Sequence, residues 1–272
     1  SSSIDQVENL KEMPVMDIHG EDIRPKKASI KVANIDFSYG SKEILHDVSF
    51  TVPEKTTTAI VGPSGSGKTT VCNLIARFWD VNAGSIKIGG HDIRDYTLTS
   101  LMDQISMVFQ SVYLFQDTIE NNIKFGNMNA THEEVVQAAQ KAACHDFIMS
   151  LPEGYKTVIG EGGASLSGGE KQRISIARAI LKDAPIIIFD EATANVDPEN
   201  EDKLQQAMNS LMKDKTIIMI AHRLKTVENA DQILVIDEGK VVASGTHNEL
   251  AAKDGIYSRF LQARKTAESW KI

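Results

Sequence analysis

Two patterns of hydrophobic residues along this chain predict two kinds of β-strand. In the first third, apolar and polar residues alternate, which predicts half-exposed antiparallel strands. The alternating runs are residues 30–39, with a slip of one residue after Val32, residues 48–52 and residues 86–88. Further along, three continuous apolar runs predict strands that are covered on both faces, as in a parallel core. These runs are residues 186–190, 216–221 and 232–237.

Apolar residues at helical spacing predict helices elsewhere in the chain. Val135, Ala138, Ala142 and Phe147 fall on one face and predict a helix over residues 131–150. Further helices are predicted at residues 69–79, 170–181, 204–211 and 246–263. Strands and helices together place the chain in the α/β class.

A glycine-rich loop connects one predicted strand to the first of these helices. Residues 62–69 fit the pattern G-x-x-x-x-G-K-[ST] at every fixed position, and an apolar strand over residues 58–61 precedes them. Glycines let the backbone curl so that its N–H groups point at phosphate oxygens, at the positive end of the helix. Lys68 can reach the β- and γ-phosphates of a nucleotide, and the Thr69 hydroxyl can bind Mg²⁺. The alternative is a Gly/Ser turn that merely precedes a helix. The residues assigned to the phosphates are Gly62, Pro63, Ser64, Gly65, Ser66, Gly67, Lys68, Thr69 and Thr70.

A second motif, Leu-Ser-Gly-Gly-Glu, occupies residues 166–170. Ser167 and Glu170 form an S-x-x-E capping box, which predicts a helix start. Capping does not require the two glycines between them, Gly168 and Gly169. Glycines at these positions leave bare N–H groups facing outward, a surface that suits an anion. Behind a complete phosphate loop, this motif resembles the LSGGQ signature of the ATP-binding-cassette (ABC) ATPases, with glutamate in the last place.

The resemblance assigns chemical roles to residues at the ends of predicted strands. It implies that Asp190 holds Mg²⁺ through water and that Glu191 activates the attacking water. Gln110 matches the Q-loop glutamine of the family, and His222 matches the switch histidine that reads the γ-phosphate. Outside this ordered set, the same residues would indicate an exposed acidic turn, a solvated glutamine and a structural histidine. The resemblance thus implies catalytic roles for Lys68, Gln110, Glu191 and His222, and metal binding by Thr69, Gln110 and Asp190.

The resemblance also implies further contacts with the nucleotide. Tyr39 occupies the A-loop place, where an aromatic ring stacks on adenine, although an ordinary tyrosine at a strand end is the alternative. Asp197 fills the D-loop slot, and it also fits a helix N-cap before proline. Ala194 stands where the family often has serine, so no side-chain hydrogen bond is assigned there. The signature residues Ser167, Gly168 and Gly169 complete the nucleotide-binding set.

The resemblance extends from residue 29 to about residue 264 and implies a division into subdomains. We expect a P-loop NTPase (RecA-like) α/β core with an antiparallel β subdomain and an inserted helical subdomain. The core and the β subdomain would comprise residues 29–109 and 170–264, and the helical subdomain residues 110–169. Residues 1–28 would be a linker from an upstream membrane domain, and residues 265–272 a tail.

Two segments of the predicted helical subdomain resemble one branch of the family. Residues 157–165 are similar to the x-loop of ABC exporters, which touches the membrane domain, although their glycines could also form a merely flexible turn. Residues 115–126 are similar to the exporter segment that follows the Q-loop. In exporters the membrane helices precede this domain on one polypeptide, and the chain begins at Ser1 without a methionine. We therefore expect the C-terminal half of a half-transporter.

Composition narrows the choice of partners and compartment. The 272-residue chain carries a formal net charge of −8, which argues against a binder of duplex nucleic acid. Cys72 and Cys144 have no spacing typical of a zinc site or a disulfide framework, which fits a reducing cytosol. No apolar run approaches the roughly 18 residues of a membrane-spanning helix. We expect ATP and Mg²⁺ as ligands, no nucleic-acid partner, and a location at the cytoplasmic face of the cell membrane.

The sequence therefore predicts an ATP-hydrolysing motor domain of an ABC exporter. Family behaviour implies a head-to-tail pair with a second nucleotide-binding domain, as a homodimer or a heterodimer, around two ATP molecules. A transmembrane domain, on the same natural polypeptide, is the other expected partner. One alternative is an ABC ATPase that acts on DNA, but such proteins carry long coiled coils between their motifs. The other alternative is a regulatory ATP-binding module, which loss of Glu191 or of the signature would favour.

Overall fold

A computed structural model describes residues 19–108, 112–160, 165–191 and 198–269. The strands in chain order are β1 (Ile30–Tyr39), β2 (Lys42–Val52), β3 (Thr57–Val61), β4 (Ala83–Ile88), β5 (His91–Asp92), β6 (Ile105–Val108), β7 (Asp117–Thr118), β8 (Val158–Ile159), β9 (Ile186–Asp190), β10 (Thr216–Ile220), β11 (Gln232–Asp237) and β12 (Lys240–Gly245). The helices are α1 (Lys68–Ile75), α2 (Leu98–Met102), α3 (Ile119–Lys124), α4 (His132–Lys141), α5 (His145–Ser150), α6 (Gly168–Lys182), α7 (Pro198–Met212), α8 (Leu224–Asn229), α9 (His247–Ala251) and α10 (Ile256–Ser269).

These elements belong to two compact units. The first unit comprises the described residues up to Met102 together with those from Arg223 onward, and the second comprises those from Asp103 to His222. The predicted boundaries of the helical subdomain, residues 110 and 169, remain a prediction.

An antiparallel sheet in the first unit contains the alternating segments predicted from the sequence. Its strand order is β2-β1-β4-β5. The pairing of β1 with β2 shifts register between Val32 and Ile35, where the phase slip was predicted. Asn34 has a left-handed backbone with φ of 49° at this point, and its side-chain amide donates to Asp47 (2.8 Å). Asparagine tolerates this conformation better than most residues, so the bulge returns Ile35 to the buried face.

The first unit also contains the strand that leads into the phosphate loop. β3 pairs in parallel with β11, and β12 extends this arrangement antiparallel to β11. The four residues from Thr58 to Val61 are buried, as expected for a strand covered on both faces. Val61 ends β3, and the loop that follows leads directly into α1.

In the second unit, β10, β9 and β6 form a parallel arrangement in that order. Their residues pack into a hydrophobic core with α6, to which Ile174, Ile176 and Ala177 each contribute a buried side chain. The parallel register pairs Ile220 with Asp190, so the carboxyl ends of β10 and β9 lie side by side. The predicted α/β class, with buried parallel strands and a separate antiparallel sheet, is confirmed.

Two helices predicted as continuous are each divided in the structure. The prediction for residues 131–150 was wrong at its middle, where Ala143 adopts a φ of 54° and ends α4. The guanidinium of Arg173 donates to the Ala143 carbonyl (2.5 Å) and stabilises the break. The prediction for residues 246–263 was also wrong in the middle of the segment. There the Ser258 hydroxyl accepts from the N–H of Gly255 (3.1 Å), donates to its carbonyl (2.9 Å), and starts α10 separately from α9.

The side chains of both cysteines, Cys72 and Cys144, are buried. Burial raises the pKa of Cys144 to about 12, which leaves it almost entirely as an unreactive thiol. Among the described helices, none combines the length and the hydropathy that crossing a bilayer requires.

Candidate functional site

Close packing and backbone conformation both restrict the phosphate loop to glycine. Gly62 has a φ of 154°, and a Cβ atom there would lie 2.0 Å from the Ile236 carbonyl oxygen. Gly67 has a φ of 108°, and its Cβ would lie 2.7 Å from the Leu45 side chain. Gly65 has a left-handed φ of 75° but open space around it. Glycine is therefore required by close packing against the backbone at Gly62, and by the left-handed backbone conformation at Gly65 and Gly67.

Hydrogen bonds hold the loop in a defined curl. The N–H of Ser66 donates to the Pro63 carbonyl (3.2 Å), and the N–H of Gly239 donates to the Ser66 carbonyl (3.0 Å). The Lys68 ammonium donates to the Gly62 carbonyl (2.7 Å) and the Pro63 carbonyl (2.8 Å). The cation therefore lies over the curled backbone, where it can meet an anion. Ser66 Oγ is buried in the loop and has no hydrogen-bond partner within the described part of the chain.

The two threonines that begin α1 differ in exposure. Thr69 is exposed, so its hydroxyl can meet a ligand at the start of the helix. Thr70 is buried in the core, and its predicted contact with nucleotide remains a prediction. Ser64 is exposed on the outer side of the loop.

Tyr39 lies half-buried at the end of β1 in an aromatic cluster. Its ring meets Phe37 edge to face at 4.8 Å between centroids and Trp79 at 5.7 Å. These contacts are made between aromatic rings, and they hold the Tyr39 ring without hydrogen bonds. Sequence analysis gave Trp79 no role. Trp79 was predicted as the last residue of the phosphate-loop helix, but α1 ends at Ile75, so the prediction was wrong at this end. An aromatic residue at the end of the predicted helix was the signal that could have identified it.

A second cluster of predicted site residues lies in the other unit, where β9 and β10 end. The His222 N–H donates to Glu191 Oε1 (3.0 Å), and the Glu191 N–H donates to the Ile220 carbonyl (3.0 Å). His222 Nε2 lies 3.3 Å from Asp190 Oδ1. The side chains of Asp190 and His222 are 33% and 28% exposed. Strand register thus brings both carboxylates and the imidazole together at a surface that a ligand can reach.

The signature motif forms the N-terminus of α6 as the capping box predicted. Ser167 Oγ accepts from the Glu170 N–H (3.1 Å), and Glu170 Oε1 accepts from the Ser167 N–H (2.9 Å). The box does not use the N–H groups of Gly168 and Gly169, which stay in the first turn of a 15-residue helix. A Cβ atom on Gly168 would meet nothing within 4 Å. The fold itself therefore does not need glycine at this position.

Three predicted features lie outside the described residues. They are Gln110, Asp197 and residues 161–164, which are four of the nine residues in the segment similar to the exporter x-loop. Their predicted roles remain predictions.

A groove of about 500 Å³ opens on the outer side of the phosphate loop. It is lined by Gly62, Pro63, Ser64, Asp237, Ile256, Arg259, Phe260, Ala263 and Arg264. Lys68 does not line it, and Asp237 opposes the charge of the arginines. The assignment of nucleotide phosphates to the loop and Lys68, rather than to this groove, remains a prediction.

The side chains present fit a nucleotide with a magnesium ion. The curled loop places a cation and an orphaned hydroxyl beside the start of α1, a helix end that favours anions. Thr69 in one unit and Asp190 in the other each carry an oxygen of the kind that Mg²⁺ prefers as a ligand, and their predicted metal-binding roles remain predictions. Within the described ranges, no cluster of three or more His, Cys, Asp or Glu residues could hold a metal alone. This fits an ion that takes its remaining ligands from phosphates and water.

Comparisons with known proteins identify the family and the fold. The model of a family described as "ABC transporter" matches residues 45–194. A solved structure of a bacterial Atm1-family ABC exporter with ATP bound superimposes with a TM-score of 0.85 and 41% identity, covering 96% of this chain and 47% of that chain. The predicted P-loop NTPase fold is confirmed.

Curated relatives are similar over nearly the whole chain. An ATP-dependent lipid A-core flippase of Syntrophus aciditrophicus (strain SB) is 51% identical over 233 residues, which cover 86% of this chain and 39% of the relative. An uncharacterized ABC transporter ATP-binding protein, YknV of Bacillus subtilis (strain 168), is 48% identical over 262 residues, which cover 96% of this chain and 43% of that protein. The chain thus spans about two fifths of the length of these relatives.

Replacing Lys68 tests the phosphate loop. We expect Lys68→Ala to weaken ATP binding by about 1.5–3 kcal/mol, because a charge-assisted hydrogen bond to phosphate is lost. Titration with a fluorescent ATP analogue measures this, with the exposed Lys31→Ala as a control that should bind normally. Equal affinity of both variants would show that the loop is not the phosphate site.

Proposed function

The chain belongs to the ABC transporter family, and we propose that it is the ATP-binding and ATP-hydrolysing motor domain of an ABC exporter. Two copies, or this chain and a similar one, would close around two ATP molecules and so drive a substrate across a membrane. The proposal places the domain at the cytoplasmic face, next to a transmembrane domain. Because the chain spans less than half of its relatives, transport itself is inferred from what those proteins are named for.

The observation that carries the proposal is the cluster of Asp190, Glu191 and His222. Binding ATP requires only a phosphate site, whereas hydrolysis requires a group that takes a proton from water. Glu191 is half-exposed, and backbone hydrogen bonds fix both its N–H and one carboxylate oxygen. A carboxylate held in this way fits a general base. His222 is tied to the same carboxylate through its own backbone, so its imidazole can read the γ-phosphate beside the base.

The other residues bind and orient the nucleotide. Lys68 exchanges its contacts with loop carbonyls for contacts with phosphate oxygens, which carry more negative charge. Tyr39 offers a ring face to the adenine base. Thr69 and Asp190 hold Mg²⁺, which neutralises charge on the phosphates when bound. Each of these assignments uses a side chain that is at least partly exposed in the structure.

A split site explains the signature motif. The capping box satisfies the helix end without the glycine N–H groups, and a Cβ on Gly168 has open space around it. We infer that glycine at this position lets a group from outside the chain approach the start of α6 closely. The N–H groups at the start of α6 fit the γ-phosphate of an ATP bound to the other subunit. ATP would then hold two subunits together until hydrolysis breaks the contact between the γ-phosphate and the N–H groups of α6.

An exposed aromatic patch fits the expected transmembrane partner. We define it as Tyr113, Phe115 and Phe125, of which Tyr113 is 71% exposed and Phe125 58% exposed. Phe115 contacts both neighbours, at 5.0 Å and 4.5 Å between centroids. Adjacent exposed aromatics of this kind are typical of protein contact sites. We propose that the transmembrane domain docks against this patch.

Arg178 connects the patch to the signature helix. Its guanidinium lies over the rings of Phe115 (5.5 Å) and Phe125 (5.7 Å) and donates to the backbone carbonyls of Asn122 (2.8 Å) and Tyr113 (3.1 Å). Arg178 belongs to α6, whose first turn contains the signature glycines. A shift of α6 on ATP binding would therefore reach the patch through this side chain.

The alternatives fit the structure less well. An ABC ATPase acting on DNA would need long coiled coils, yet the longest described helices, α6 and α7, each have 15 residues. A regulatory module that only binds ATP would not need a carboxylate oriented as Glu191 is. The relatives named above are transporters and flippases.

Glu191→Gln tests hydrolysis and pairing together. The amide cannot accept a proton from water, so we expect turnover to fall roughly 10²- to 10⁴-fold while ATP stays bound. Light scattering should then show a dimer with ATP but not with ADP, which lacks the γ-phosphate. The exposed Glu133→Gln should hydrolyse ATP like the unmodified chain. Normal turnover in Glu191→Gln would exclude it as the base.

Gly168→Ala separates folding from pairing. The added methyl group meets nothing within 4 Å, so thermal stability should be unchanged or slightly higher. In the dimer it would crowd the neighbour's ATP, and overpacking of about 1–3 kcal/mol should weaken ATP-dependent dimerisation and turnover. Gly255→Ala, which also has open space, is the matched control and should affect neither. Normal dimerisation of Gly168→Ala would argue against the split site.

A further inference from the structure

We propose that Trp79 is a positioning residue that holds Tyr39 in the orientation in which it stacks on the base of the nucleotide. This inference rests on the proposed role of Tyr39. It adds that the end of the phosphate-loop helix, and not only its start, prepares the site for ATP.

The contact between the two rings is direct. Trp79 meets Tyr39 at 5.7 Å between centroids with an interplanar angle of 83°. Phe37 meets the same tyrosine at 4.8 Å and 87°. The ring planes of both neighbours are therefore nearly perpendicular to the ring plane of Tyr39. This is the edge-to-face arrangement that aromatic pairs prefer. This geometry limits rotation of the Tyr39 ring about its side-chain bonds.

A strained turn after α1 places Trp79 there. Arg77 has a φ of 57°, which an arginine rarely adopts, and its N–H donates to the Leu74 carbonyl (3.0 Å). Its side chain is only 1% exposed, and its guanidinium pairs with Asp80 (2.8 Å). The partly buried ion pair joins residues on both sides of Trp79 in the sequence. It therefore fixes the direction in which the chain leaves the helix.

Two hydrogen bonds tie the following segment to the strand that carries Tyr39. The Asn82 side-chain oxygen accepts from the Ser38 N–H (2.7 Å), and the Asn82 N–H donates to the Asp36 carbonyl (2.9 Å). Tyr39 is the next residue after Ser38. These bonds connect the backbone next to Tyr39 with the segment that follows Trp79. They therefore limit how far the two rings can move apart.

The arrangement links both ends of the nucleotide to one helix. α1 begins at Lys68, which meets the phosphates, and its C-terminal turn leads to Trp79, which supports the ring for the base. A ring that is already oriented loses less side-chain freedom when the base binds. Trp79 should therefore increase affinity for ATP without touching it, and should not affect ligands that lack a base.

The experiment compares ATP with inorganic tripolyphosphate, each measured by displacement of a fluorescent ATP analogue. Trp79→Leu keeps an apolar side chain but removes the aromatic ring, so ATP should bind roughly three- to tenfold more weakly. Tripolyphosphate affinity should stay unchanged. Trp79→Phe should restore most of the ATP affinity, and the neighbouring Phe78→Ala should bind ATP normally. In a Tyr39→Ala background, Trp79→Leu should have no further effect on ATP affinity.

Each contrary result has a distinct meaning. Equal weakening of ATP and tripolyphosphate by Trp79→Leu would show general damage to the loop and overturn the positioning role. So would an unchanged ATP affinity in Trp79→Leu while Tyr39→Ala weakens it, or an effect of Trp79→Leu that persists in the Tyr39→Ala background. Normal ATP binding by Tyr39→Ala alone would instead overturn the proposed stacking itself, and with it this inference.

Discussion

The reversal of the backbone between β3 and α1 is the constraint on which the rest of the site depends. Gly62 passes so close to the carbonyl of Ile236 that no side chain fits, and Lys68 then folds back over the curl it encloses. The buried strand fixes where the reversal starts, and the first turn of α1 fixes where it ends. A positive charge and a helix N-terminus are thereby presented at one point. Any residue that forces this loop open would remove the phosphate site before it affected the rest of the fold.

Two helices, α6 and α1, begin at residues proposed to bind phosphate and lead to aromatic clusters further along the chain. In α6, the first turn contains the signature glycines. Further along the same helix, Arg178 contacts the exposed aromatic patch and donates to the Asn122 carbonyl beside it. In α1, the first turn holds Lys68, and the chain beyond its end supplies Trp79. In both cases a continuous stretch of chain connects a polar helix N-terminus to an aromatic cluster, so a shift at one end could be transmitted to the other.

Much of this could be predicted from the sequence because it depends on local chemistry. The alternation of apolar residues located β1, including its bulge, and the capping box located the start of α6. The ordered motifs identified Asp190, Glu191 and His222, which strand register then brings together. The helix breaks were missed because Ala143 is stabilised in its unusual conformation by Arg173, a residue distant in sequence. The role inferred for Trp79 was missed because ring geometry depends on the turn at Arg77, which no periodicity reveals.

The central claim is that the phosphate loop of one subunit and the signature of another act on the same ATP. Mixing two inactive chains tests it most directly. Lys68→Ala keeps an intact signature, and Gly168→Arg keeps an intact phosphate loop and an intact capping box. In a mixed dimer, one complete site would form from the intact half of each chain. The account predicts that the mixture hydrolyses ATP well above the sum of the separate chains, with a maximum near equal proportions. A rate equal to that sum at every proportion would contradict it.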